Sequence, residues 1–140
     1  MSEPPSPLEL LPHAGAARMI TRIAEHGDGT ITCEGQVCPE GPYVQHGICP
    51  AFVGLEVAAQ AAALLELLAV RDLAPAPRAG YLVRARGVRC ARPEFAAGDV
   101  LRAQVRRTAA VPPLFVYEIR VSDELGELLR GEIATYVGPD

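Results

Sequence analysis

Two polar side chains, Glu56 and Gln60, stand inside the most apolar stretch of the chain, Pro50 to Val70. Four residues apart, they share one face if that stretch is helical. A carboxylate in such surroundings is costly unless it is paired, hydrogen-bonded or protonated, and burial raises its pKa. A carboxyl group kept protonated near neutral pH is a general acid. Position alone leaves two readings open. Either Glu56 caps its own helix while Gln60 bonds neighbouring backbone, or the pair belongs to a proton-transfer site. His46 lies in the loop that feeds the helix, and histidine suits a base at neutral pH; a solvated surface histidine is the alternative. Base, acid and the free N–H groups of a helix start are together the parts of a site that moves protons alpha to a carbonyl. Cys49 immediately precedes the helix, where the dipole lowers a thiol's pKa. It lacks a third, orienting group, so a packed structural thiol is the better reading than a nucleophile. His13 and His26 have no comparable context.

Composition narrows the chemistry further. All 13 basic residues among the 140 are arginine, set against 17 Asp and Glu for a net charge of −4. The absence of lysine excludes Schiff-base and lysine-base catalysis. Mild acidity argues against nucleic acid or an anionic membrane as the main partner, since both reward a basic surface, but it leaves room for a local arginine patch. Cysteines 33, 38, 49 and 90 form no C-x-x-C pair and no Cys/His zinc spacing, which supports neither a disulfide framework nor a metal site. Glu56, Gln60 and Glu66 interrupt the apolar stretch, so it reads as a buried core helix rather than a membrane span. Met1 to Leu10 is Pro-rich and acidic without the basic start or apolar run of a signal peptide, and a cytoplasmic protein is expected. No repeat or compositional break divides the chain, so residues 1–140 are expected to form one domain behind a Pro-rich lead at 1–10.

The elements that must position Glu56 and His46 follow from periodicity. Arg18–Ile23 reads as a first strand, Gly27-Asp28-Gly29 as a turn, and Thr30–Cys38 alternates as a half-buried strand. Pro39–Pro50 reads as a loop carrying Tyr43, Gln45 and His46. The helix starts near Pro50 or Ala51, where proline is well tolerated, and ends before Pro75 and Pro77. It is apolar nearly all round, as a helix surrounded by other structure is. Gly80–Ala91, Val100–Thr108, Leu114–Ser122 and Glu127–Val137 then read as four meandering strands. A single curved antiparallel sheet around the helix accounts for its lack of a polar face, and the exposed edges of such a sheet invite pairing with a second chain.

The residues now support a resemblance. Leu11-Pro12-His13 with Met19–Ile23, Pro42-Tyr43-Val44-Gln45-His46, the helix run Pro50-Ala51-Phe52-Val53-Gly54-Leu55-Glu56-Val57-Ala58-Ala59-Gln60-Ala61, and Ala91-Arg92-Pro93 through Gly98-Asp99 resemble, in order, segments of the hotdog-fold 3-hydroxyacyl-ACP dehydratases. The P-A-x-V-G-L-E-x-x-A-Q form is closest to the aryl polyene biosynthesis branch. The resemblance implies an α+β hotdog fold, a curved antiparallel sheet wrapped around one long helix. It implies that His46 removes the C2 proton of a 3-hydroxyacyl thioester and Glu56 protonates the departing 3-hydroxyl, giving a trans-2-enoyl product, with no cofactor and no metal. It further implies that backbone N–H groups around Ala51 and Phe52 bind the thioester carbonyl and that Gln60 orients Glu56. His46 and Glu56 would come from different subunits of a homodimer or of a heterodimer with a homologous dehydratase.

Two departures accompany the likeness. Only Gly47, Ile48 and Cys49 separate His46 from Pro50, and Ala51 replaces the glycine at the helix start. The implied partner is an acyl carrier protein, which is strongly acidic, so Arg84, Arg86, Arg89, Arg102, Arg106 and Arg107 are candidate contacts, a solvated sheet face being the alternative. The rival functions are a hotdog thioesterase, in which Glu56 activates water or attacks the acyl group, and a non-catalytic subunit supporting an active homologue.

Overall fold

The computed structural model describes residues 17–70 and 81–137. The Pro-rich lead, Leu11-Pro12-His13, and the helix stop at Pro75 and Pro77 lie outside the described residues. Strands β1 (Ile20–Gly27) and β2 (Thr30–Gly35) form a hairpin; a short β3 (Ile48–Pro50) leads through a 3-10 turn, Ala51–Val53, into helix α1 (Gly54–Val70). Beyond it come β4 (Tyr81–Cys90), a short β5 (Glu94–Ala96), β6 (Leu101–Val111), β7 (Leu114–Asp123) and β8 (Gly126–Tyr136). Six strands make one antiparallel sheet in the order β1-β2-β6-β7-β8-β4, while β3 and β5 pair separately. The expected α+β architecture of one helix against one antiparallel sheet is present.

Two features depart from the periodicity reading. Only β6, β7 and β8 meander; β4 crosses to the far edge and pairs with β8 instead of with its successor. The segment that makes this crossing carries β5, and β3, expected as loop, pairs with it. Three-residue strands are too short for a period of two to declare itself, and Pro50 ends β3 by withholding an N–H.

Helix α1 is covered as its composition requires. Val57, Ala58, Ala61, Ala62 and Leu64 are wholly buried. Facing them is a cross-strand row, Cys33–Ala103–Val121–Leu129, taken from β2, β6, β7 and β8 and also wholly buried. By length and composition Ala51–Ala69 could cross a membrane, with mean hydropathy 1.7, but the sheet occupies the place lipid would take. At the far end of the helix the apolar contact gives way to a polar lock. Glu66 accepts two hydrogen bonds from Arg107, from Nε at 2.9 Å and Nη2 at 2.8 Å, and one from the Tyr117 hydroxyl at 2.6 Å. Burial first, then the hydrogen bond to Glu66 and its charge, push the Tyr117 hydroxyl well above the usual phenol range. Its own hydrogen bonds to Glu66 raise the Arg107 guanidinium.

Removing one member of a sheltered ion pair strands the other. Glu66→Gln is expected to lower unfolding stability by on the order of 3 kcal/mol, and Tyr117→Phe, which removes one hydrogen bond, by about 1 kcal/mol. Urea denaturation of both variants measures this; equal losses would mean the guanidinium contact contributes little.

Candidate active site

The loop ahead of the helix is a tight turn. Gln45 and Ile48 exchange both backbone hydrogen bonds, each at 3.0 Å, around His46 and Gly47. Both central residues have positive φ, 54° at His46 and 77° at Gly47. Two left-handed residues in succession define the primed turn that joins twisted strands most readily. Histidine tolerates that region better than most side chains, and glycine enters it freely. The turn is braced from below: Ala97 donates its N–H to Gly47 O at 2.8 Å, and Ile48 pairs with Ala96. His46 is therefore held by backbone on an exposed tip.

Glu56 lies in the first turn of α1, half-buried. Gln60, one turn on, donates from Nε2 to the Glu56 carboxylate at 3.2 Å and to Ala17 O at 2.8 Å, while its Oε1 accepts the N–H of Met19 at 2.8 Å. At 1% exposure Gln60 is fixed by groups on the far side of it, so its amide presents one N–H to the carboxylate in a set direction. The structure thus brings Glu56 and Gln60 together as expected.

Ala51 needs correction. Its N–H donates to Pro93 O at 2.9 Å and is therefore committed to the fold rather than available to a ligand. Phe52, one residue along, is 59% exposed. With Tyr43 and Ile48 it adds large apolar surface to the loop and helix start. Arg107, read as a candidate carrier-protein contact, is committed to Glu66 on the helix side of the sheet. The signal was in the sequence: Arg106 and Arg107 are consecutive, so one of them had to point inward.

Cavities of about 930 and 290 Å³ lie elsewhere, and neither is lined by His46, Glu56 or Gln60. The larger crosses the outer face of the sheet, and the smaller lies beside Arg107 near the end of the helix. Among the described residues no cluster of three His, Cys, Asp or Glu could hold a metal ion.

The profile of the ApeP-like dehydratases matches residues 5–140. This chain belongs to the ApeP-like dehydratase family. No curated protein sequence matches it. Among solved structures, the dehydratase heterocomplex ApeI:P from Xenorhabdus doucetiae aligns with TM-score 0.87 and 22% identity, covering 99% of this chain and 94% of that one. A virulence protein from Campylobacter jejuni aligns with TM-score 0.66 and 13% identity over 96% of this chain and 88% of that one. A hypothetical thioesterase with coenzyme A from Streptococcus pneumoniae aligns with TM-score 0.61 and 12% identity over 85% of this chain and 86% of that one. The fold is the α+β hotdog, and family membership sets dehydration above the thioesterase alternative.

Cys49 behaves as a structural thiol. It is wholly buried, and burial raises its pKa despite the helix start beside it; Cys33, also buried, is pushed up to about 12. Since the thiolate is the reactive form, Cys33 and Cys49 in the isolated chain are expected to resist a thiol reagent at mildly alkaline pH while the exposed Cys90 is labelled. Mass mapping of the labelled sites, repeated in urea, checks this; rapid native labelling of Cys49 would reopen it as a nucleophile.

Proposed function

We propose that this dehydratase acts on a 3-hydroxyacyl group carried as a thioester on acyl carrier protein, in a site shared with a second, homologous hotdog chain. His46 takes the proton from C2, the C3–O bond breaks, and Glu56 delivers a proton to the departing hydroxyl. The products are water and a trans-2-enoyl thioester. The Phe52 N–H, at the positive end of the turn and helix, hydrogen-bonds the thioester oxygen where charge collects as C2 loses its proton. Gln60 touches no reacting atom in this scheme and acts as a positioning residue for Glu56.

The observation that carries the reading is the Glu56–Gln60 pair: an acid in the first turn of a largely apolar helix, aimed by an amide whose other bonds are all to fixed backbone. The exposed placement of His46 supports the second chain, because a base on an outward turn needs a facing surface to enclose substrate. The structural neighbour described as an ApeI:P heterocomplex points the same way.

General acid and base groups contribute roughly 100-fold or more to turnover. Glu56→Gln and His46→Ala, each assayed with the partner chain and 3-hydroxyacyl carrier protein by the absorbance of the conjugated enoyl product, are expected to lose at least that factor with circular dichroism unchanged. Undiminished turnover in His46→Ala removes it from the mechanism, and release of free thiol by the unaltered protein would restore the thioesterase reading.

A further inference from the structure

Strand β4 is one of the two edges of the six-stranded sheet and, at ten residues, long enough to pair along its length with another chain. By simple alternation Arg84 and Arg86 would share one face and Arg89 would fall on the other. The observed register differs. Arg86 stands opposite Glu132 and Arg89 opposite Arg130, so β4 spends one residue more than β8 between these pairs. This is a bulge: Gly87 adopts φ 63°, and the neighbouring strand makes room with Gly131, where an added Cβ would lie 2.9 Å from Val88 Cα. The bulge turns Arg89 to the outer face beside Arg84 and Arg86.

Three guanidiniums on the edge then have one carboxylate among them. Glu132 lies 2.8 Å from Arg86 and 3.9 Å from Arg84, and Arg89 has no carboxylate partner among the described residues. Behind the edge the positive row continues. Arg89 is opposite Arg130, and Arg130 is opposite Arg120, with Glu127 serving both inner arginines at 2.7 and 3.2 Å.

We infer that this arginine edge selects against a second copy of the same chain and for a non-identical chain whose matching edge carries carboxylates on its outer face. Two copies joined antiparallel about a two-fold axis place the run Arg84, Arg86, Arg89 against the same run reversed. Like charges directly across a strand pair repel, and opposite charges attract. Exposed Leu82 and Val83 supply contact area to either partner, so discrimination falls to the charges. The inference rests on the reading that a second hotdog chain completes the site, and it names what chooses that chain.

The chain itself provides the probes, and sedimentation velocity reads the result. Unaltered protein is expected to self-associate weakly at low salt and about tenfold more tightly at high salt, where repulsion is screened. Arg84→Gln/Arg86→Gln/Arg89→Gln is expected to self-associate at low salt at least tenfold more tightly than the unaltered chain, with little salt dependence. Mixing the unaltered chain with Arg84→Glu/Arg86→Glu/Arg89→Glu is expected to give a mixed dimer that outcompetes both self-pairs and loosens with salt. Thermal melts confirm that each variant folds; if the glutamate variant does not, beside Glu132, the glutamine variant decides alone. Equal low-salt self-association of the unaltered and glutamine chains, or self-association of the unaltered chain that weakens with salt, overturns the inference. Dehydration activity is scored separately: its absence would sink the proposed reaction and leave these association results standing, and the converse holds.

Discussion

A helix with no polar face cannot stand at a surface, and the rest of this molecule is arranged around that constraint. Covering Val57 through Leu64 on most sides takes a wide sheet bent about the helix, and a bent open sheet leaves two edge strands and an outer face to be managed. The lone polar residues of the helix then become expensive, and each is resolved by a specific contact. Glu66 is locked by Arg107 and Tyr117, and Gln60 by the backbone ahead of β1. Glu56, half-buried, accepts a hydrogen bond from Gln60.

Much of this is legible in the sequence alone. The all-round apolar stretch points to a wrapped helix, the alternating segments to β2, β6 and β7, and the spacing of Glu56 and Gln60 to a pair on one face. Strand order was not legible, because periodicity reports which face a residue takes and says nothing about which strand lies beside it. Periodicity therefore places β4 in a meander, whereas the structure places it at the far edge. The β3–β5 pair escaped for a different reason: Ile48, Cys49 and Pro50 are held by partners distant in sequence and carry no pattern of their own. The committed N–H of Ala51 escaped in the same way, its acceptor Pro93 being remote along the chain.

The shortened segment between His46 and the helix also takes on a physical meaning. With so few residues to spend, the chain reverses in a two-residue turn, and only a histidine-glycine pair or something equally tolerant of positive φ fits there. A longer loop would give the imidazole freedom to fold back over its own helix. The turn removes that freedom and directs the side chain outward, toward whatever packs against this end of the protein. In the proposed reaction, substrate enclosure is thereby delegated to assembly.

The arginine edge carries one more consequence. Acyl thioesters acylate free amines, and a lysine-lined surface next to them would accumulate amides and shed its charge with every such event. Guanidinium groups are poor acyl acceptors and stay protonated throughout the physiological pH range. A chain with arginine in place of every lysine therefore presents β4 with a charge that neither the proposed thioester substrate nor a change of pH within the physiological range erases.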